Sequence, residues 1–212
     1  MDLILAVLLG FAFGSIPFGL ILTKAAGLGD VREIGSGSIG ATNVLRTGNK
    51  GLAAGTVLLD ALKGVVPVLL ASILWNGCEQ FSVFGCHPAN PQKAAMALAA
   101  VGAVAGHCFT PWLKFKGGKG FATAAGVLGA LNWPLMLLCA GIWAATVALS
   151  RTSSVASLTT VIAAPIAAAA FGHMHLIVPL TAIAAIVLVQ HRANIGRLMR
   201  GEEPRIGGGK KS

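Results

Sequence analysis

Three stretches of this chain combine glycine, hydroxyl and basic residues at spacings that suit anion chemistry. The first reads Gly35-Ser36-Gly37-Ser38-Ile39-Gly40-Ala41-Thr42-Asn43-Val44-Leu45-Arg46. Glycines expose backbone N–H groups, and turns built from them form anion-binding nests. The hydroxyls of Ser36, Ser38 and Thr42 add donors, and the guanidinium of Arg46 can hold a phosphate through two parallel hydrogen bonds. A plain linker would need neither the arginine nor Asn43. The second stretch, Lys114-Phe115-Lys116-Gly117-Gly118-Lys119-Gly120, runs into an apolar segment from Phe121. Glycines and lysines ahead of a helix N-terminus make a second phosphate cradle; the alternative is a lysine cluster that sets topology. The spacing GxxxxGK[ST] fails here, so ATP hydrolysis is not indicated. The third stretch is His191-Arg192-Ala193-Asn194-Ile195, continuing to Arg197. A neutral imidazole can donate a proton or act as base near pH 7, and helical spacing puts His191 and Asn194 one turn apart on one face. The alternative is an interfacial anchor. One phosphate would not need three such loops, whereas two phosphate-bearing substrates would.

Asp60 and Lys63 are of a different kind. They lie about 12 Å along an apolar segment at ~1.5 Å per residue, three apart, where they can pair. Charges at membrane depth are costly and usually functional, so the pair is either part of a site or a brace for the first stretch. Metal and nucleophile chemistry have no foothold: there is no HExxH, no paired CxxC and no GxSxG elbow. Neither a metal nor a cofactor is expected.

The elements that must position these residues are apolar. The chain has 212 residues, 55% hydrophobic and 11% charged, with a mean hydropathy of +0.79; a soluble domain carries about 25% charged residues. The class is therefore a membrane protein, read as one domain over 1–212 with a flexible tail from 201 to 212. Sixteen Lys and Arg oppose seven Asp and Glu. On apolar spans this excess sets orientation and touches anionic lipid heads, and no nucleic-acid partner is expected. Met1-Asp2 offers no basic region before Leu3–Leu22, so the first apolar stretch is read as a retained span rather than a signal peptide.

Spans of about 20 apolar residues are expected over Leu3–Thr23, Leu52–Trp75, Ala94–Leu113, Val155–Gly172 and Leu176–Gln190. Phe121–Ser150 is too long for one helix and short for two, and Asn132-Trp133-Pro134 marks a turn within it. Charge decides the case. The segments Lys24–Lys50, Lys114–Lys119 and the Arg-rich tail should share the cytoplasmic side, which requires an even number of crossings between Lys119 and the tail. Two short central helices satisfy this. The expected fold is all-α, with seven transmembrane helices, N-terminus outside and C-terminus cytoplasmic. Glycine pairs four apart (Gly10/Gly14, Gly51/Gly55, Gly102/Gly106) predict close helix packing. Cys78 and Cys86 fall in an outside loop, where a disulfide is compatible with an oxidising compartment; Cys108 and Cys139 read as core residues.

These motifs carry a family resemblance. GSGSIGATNVLR (Gly35–Arg46), KGGKGFAT (Lys116–Thr123) and HRANIGRLMRGEE (His191–Glu203) resemble the three motifs of the bacterial acyl-phosphate:glycerol-3-phosphate acyltransferases, the PlsY type. LDALKG (Leu59–Gly64) and SRTSSVASL (Ser150–Leu158) are similar to that family too, and the likeness spans essentially the whole chain in order. The resemblance implies transfer of a fatty acyl group from acyl phosphate to the 1-hydroxyl of glycerol 3-phosphate, giving lysophosphatidic acid and inorganic phosphate. It also implies a bacterial inner-membrane location, a cytoplasmic active site, and functional association with an enzyme that makes acyl phosphate. Carried over residue by residue, Ser36, Arg46, Lys119 and His191 would hold glycerol 3-phosphate. Gly117, Gly118, Gly120 and Thr42 would cradle acyl phosphate, helped by Ser154, with Lys116 and Ser38 as further contacts. Asn43 and Asn194 would orient neighbours, and Asp60 and Lys63 would stand behind the site. Ser38 occupies a position where the family often has Asn. The HxxxxD acyltransferase class is excluded, because five residues after each histidine stand Gln92, Trp112, Val178, Leu180 and Gly196. A metabolite carrier would need donors on the outer side as well, where only His87, Lys93, His173 and His175 are available. A CDP-alcohol phosphotransferase would need paired aspartates that the loops lack.

Overall fold

In the computed structural model, residues 2–35, 37–76 and 90–206 are described. Ser36, Cys78, Cys86, His87 and the tail from Gly207 lie outside them. The described residues form ten α-helices and short 3-10 turns: α1 (Leu3–Gly14), α2 (Phe18–Ala25), α3 (Ala41–Val44), α4 (Lys50–Leu74), α5 (Pro91–Cys108), α6 (Phe121–Leu131), α7 (Trp133–Ser150), α8 (Ser153–Ala170), α9 (Met174–Gln190) and α10 (Arg192–Met199). The fold is all-α, and the chain is a multi-pass membrane protein. Five segments are long and apolar enough to cross a bilayer, and a sixth if α9 and α10, bent by 62° at His191, count together. Ile4, Leu8, Leu58, Ile73, Ile166 and Val178 are exposed on the outside of the bundle, an apolar surface suited to lipid.

Phe121–Ser150 divides at Asn132, as the turn signal predicts. The expectation of two short helices needs correction. α6 has 11 residues and α7 has 18, so only α6, about 16 Å long at ~1.5 Å per residue, falls well short of a ~30 Å hydrocarbon core. The break is asymmetric because Asn132 sits near the first third of the stretch. Its side chain accepts from Leu135 N (2.9 Å) and Pro134 enters the first turn of α7, where a missing N–H costs nothing.

Packing is set by backbone-to-backbone approaches. A Cβ on Gly10 would land on Ala99 O, one on Gly14 on Ala103 O, one on Gly102 on Val7 O and one on Gly106 on Phe11 O. α1 and α5 thus interlock from both sides through four of the six expected glycines. Gly51 and Gly55 make no such approach, their nearest neighbours being Asn49 Oδ1 at 3.4 Å and Leu22 at 3.6 Å. A second interlock, unforeseen, joins α4 to α6, where Gly126 abuts Ala61 O and Gly64 lies against Thr123.

After α10 the chain does not leave the bundle at 201. Gly201 N donates to Leu198 O, Glu202 N to Arg197 O, and Ile206 N reaches back to Arg151 O (2.7 Å) at the turn between α7 and α8. The tail expected to be flexible is tied down through Ile206.

Candidate active site

Loop one (26–49) is held by Asn43. Its Nδ2 donates to Val31 O (2.7 Å), Ser38 O (2.8 Å) and Ile34 O (3.1 Å), and its Oδ1 accepts from Arg46 Nη1 (3.0 Å). A buried amide with this many partners orders the loop and aims the guanidinium, so Asn43 positions Arg46. Gly35, at φ +56°, has no room for a side chain because Arg46 Nη1 crosses its α-carbon. Arg46 and Thr42 are exposed.

Loop two turns through Lys114 and Phe115, both left-handed (φ 53° and 60°). It then returns onto the end of α5: Gly117 N donates to Cys108 O (3.1 Å) and Gly118 N to His107 O (3.0 Å). A Cβ on Gly117 would strike His107 O, and one on Gly118 would strike His107 Nε2. These two glycines are therefore not a nest with donors open to an anion. They let the loop lie flat on α5. The donors available to a ligand come next, where α6 starts: Ala124 N is the first to bond back, to Gly120 O (2.8 Å), and the N–H groups before it point out of the helix N-terminus.

At the end of α9, His191 is buried and its Nδ1 lies 2.8 Å from Val187 O. A carbonyl only accepts, so Nδ1 carries the proton and Nε2 is the acceptor of the neutral ring. One turn on, Asn194 Nδ2 donates to Glu203 Oε1 (2.5 Å). Glu203 also accepts from Ser154 Oγ (2.7 Å) and pairs with Arg197 Nε (2.7 Å). Burial works to raise the Glu203 pKa, but the hydrogen bonds from Asn194, Ser154 and Arg197, with the Arg197 charge, hold it below the usual carboxylate range. Ser154, Asn194 and Arg197, from α8 and α10, are thus joined through one carboxylate.

The three loops meet in a cleft of ≈ 190 Å³, bounded by Gly37 and Ser38 of loop one, Gly118 and Lys119 of loop two, and Asn194 and Arg197 of α10. Its net character is cationic. Burial pushes the Lys119 ammonium pKa down, and Arg197 and Arg46 push the same way against the opposing pull of Glu203. A cavity of ≈ 170 Å³ opens between α6, α7, α8 and α9, its wall beginning at Phe121, two residues after the cleft's Lys119. Phe121, the first residue of α6, stacks on Trp143 with ring centroids 6.2 Å apart at its side. Leu128, Met136 and Leu180 also line it.

Of the expected residues, Ser38, Gly117, Gly118, Lys119 and Asn194 line the cleft. Arg46 bears electrostatically on Lys119, and Lys119 in turn on His191. Ser154 faces Glu203. Lys116 is exposed on the outer side of loop two. Asp60 and Lys63 pair at 2.7 Å, buried below the loops. Glu203 and His107 were given no role beforehand, and Arg197 was named only as the end of the third stretch. Arg197 and Glu203 sit inside the third motif, but nothing local marks an acid whose partner Ser154 is 49 positions away. His107 looked like one more residue of an apolar span.

These features define a class: helical multi-pass membrane proteins with basic loops gathered over an apolar cavity at one end of the bundle. A family model described as glycerol-3-phosphate acyltransferase matches residues 4–201. A glycerol-3-phosphate acyltransferase of Erythrobacter litoralis (strain HTCC2594) is 53% identical, covering 98% of this chain and 96% of the relative. One of Mesorhizobium japonicum is 52% identical over 97% and 96%. A crystal structure of PlsY (YgiH), an integral membrane glycerol 3-phosphate acyltransferase in its glycerol 3-phosphate form, superposes with a TM-score of 0.84 at 32% identity, covering 98% of this chain and 96% of that one. Its lysophosphatidic acid form gives 0.82 at 31%. The chain belongs to the glycerol-3-phosphate acyltransferase family.

Proposed function

We propose that this protein transfers a fatty acyl group from acyl phosphate to the 1-hydroxyl of glycerol 3-phosphate, releasing lysophosphatidic acid and inorganic phosphate. The observation that carries the reading is the adjacency of cationic cleft and apolar cavity across Gly118–Phe121. A substrate with a phosphate head and an acyl tail needs both, joined at its carbonyl. Arg46, Lys119 and His191, with Ser36, hold glycerol 3-phosphate. The N-terminus of α6 at Gly120, with Thr42 and Ser38, receives the acyl phosphate, and Gly117 and Gly118 shape that approach. Ser154 and Asn194 act through Glu203.

Acyl phosphate is a mixed anhydride whose leaving group is phosphate, so catalysis requires proximity and charge neutralisation rather than an enzyme nucleophile. The hydroxyl oxygen attacks the carbonyl carbon, the carbonyl–phosphate bond breaks, and the hydroxyl proton passes to a substrate phosphate. No metal or organic cofactor enters this scheme. The excess of basic residues in these loops supports a cleft at the cytoplasmic face of a bacterial inner membrane, by the positive-inside rule. The seven apolar segments, with α1 and α2 as one, then run from an outside N-terminus to a cytoplasmic C-terminus, and an acyl-phosphate-producing enzyme supplies the donor.

The test is phosphate release by purified protein in lipid, given palmitoyl phosphate with and without glycerol 3-phosphate, and palmitoyl-CoA as competing donor. Release that requires both palmitoyl phosphate and glycerol 3-phosphate is expected. Turnover with the CoA donor alone would overturn the donor assignment. Absence of turnover with either would overturn the reaction.

A further inference from the structure

The scheme above leaves one group of polar side chains unused. Asp60, Lys63 and His107 are buried between helices, with exposures of 2, 3 and 3%. Lys63 Nζ lies 2.7 Å from Asp60 Oδ1, and His107 Nδ1 lies 3.7 Å from the same oxygen. A buried ion pair is weak evidence for stability, since well-packed apolar side chains serve as well. At membrane depth it points to function.

The ends of this group reach the supports of both loops. On one side, Lys63 Nζ donates to Ile16 O (2.8 Å) at the corner between α1 and α2. That corner carries loop one, because Gly19, three residues on, lies against Ile39 O. On the other side, the His107 imidazole touches Gly118 through Nε2 while its carbonyl accepts from Gly118 N (3.0 Å). Gly118 and Ser38, next to Ile39, both line the cleft. The series runs from Ile16 through Lys63, Asp60 and His107 to Gly118 by hydrogen bonds and close contact at its ends, with the Asp60–His107 step an electrostatic one at 3.7 Å.

We propose that His107 is a positioning residue for the reaction. Standing 3.7 Å from the Asp60 carboxylate of the buried pair, it sets the separation between the loop that takes glycerol 3-phosphate and the loop that takes the acyl donor. This inference rests on the functional reading above. A displacement of about 1 Å between reacting groups can cost on the order of 10²-fold in rate, so the effect belongs in kcat rather than in the affinity for either substrate.

The experiment uses the full chain in lipid vesicles with palmitoyl phosphate and glycerol 3-phosphate. Unaltered protein is measured first, and lack of turnover there counts against the functional reading, separately from this inference. With turnover in hand, His107→Phe is expected to remain folded by size exclusion and thermal unfolding. Its kcat should fall by about tenfold or more with KM for glycerol 3-phosphate within about twofold, the signature of an interaction that matters only in the transition state. His107→Gln, which restores a polar end, should recover a large part of the loss. Asp60→Asn should lower kcat similarly, and Asp60→Asn with His107→Phe should go no lower than either alone. Unchanged kcat in His107→Phe overturns the proposal. So does a rise in KM at constant kcat, or loss of activity that only follows loss of folded protein in all the variants.

Discussion

Lys119 is the cleft lysine whose charge is under most pressure, from its own burial first and from Arg197 and Arg46 after it. Because its pKa lies below the ordinary 10.5, it loses its proton at lower pH than a solvated lysine does. kcat/KM for glycerol 3-phosphate, which reports ionisations of the free enzyme, should therefore fall on an alkaline limb below pH 10.5. Lys119→Arg should move that limb upward, a guanidinium remaining charged throughout. Arg46→Ala should reduce kcat/KM by at least about 10²-fold, the usual cost of one charge-stabilising donor, with the unfolding midpoint unchanged because Arg46 is exposed. Near-normal turnover in that variant would remove Arg46 from the site. Asn43 shows how far residue type alone carries: its orienting role was expected from the family resemblance, not from the amide itself. An amide beside an arginine can face a ligand or order a turn, and only the positions of three carbonyls decide between them.

Among the elements, the segment after α10 is held by Glu203. Its pKa is depressed on folding, so its contribution to stability is complete above the ordinary glutamate value of 4.5 and is lost as pH falls through the lower folded value. Limited trypsin cleavage after Arg200 and Arg205 should be slow at neutral pH and fast in Glu203→Ala. Slow cleavage in that variant would mean that Ile206 N on Arg151 O suffices alone. For α1 and α5, Gly102→Leu should destabilise the bundle by about 3 kcal/mol, the upper end for overpacked cores, while Gly51→Ala should be nearly neutral. Comparing thermal unfolding of the two separates a glycine that touches backbone from one that does not. Periodicity marked all six glycines alike, since spacing reports a face and not what lies opposite it. Loop two carries the same lesson. Glycine before a helix fits both a nest and a close approach, and here Gly117 and Gly118 turn their N–H groups to α5.

At the scale of the molecule, the expected even number of crossings depends only on where basic loops must lie. The four helices α6 to α9 separate Lys119 from Asn194, and both line one cleft. At the opposite end Asn132 Nδ2 meets His173 Nε2 at 3.1 Å. With native cysteines replaced by serine, a cysteine at Lys116 should react with an impermeant thiol reagent only in inverted vesicles, and one at Trp133 only in right-side-out vesicles. Labelling of both from one side would break the proposed topology. The walls of the apolar cavity come from four helices spread over some 60 residues, which no local pattern unites. The interlock of α1 with α5 also bears on how the protein is made. The grooved face of α1 leaves the ribosome first and fits only a helix synthesised much later. Until α5 arrives, that face is lined by lipid tails that cannot fill it, so the nascent chain waits in the bilayer half-assembled. A message truncated before α5 should yield a fragment that membrane quality-control proteases clear, whatever the integrity of its first two spans.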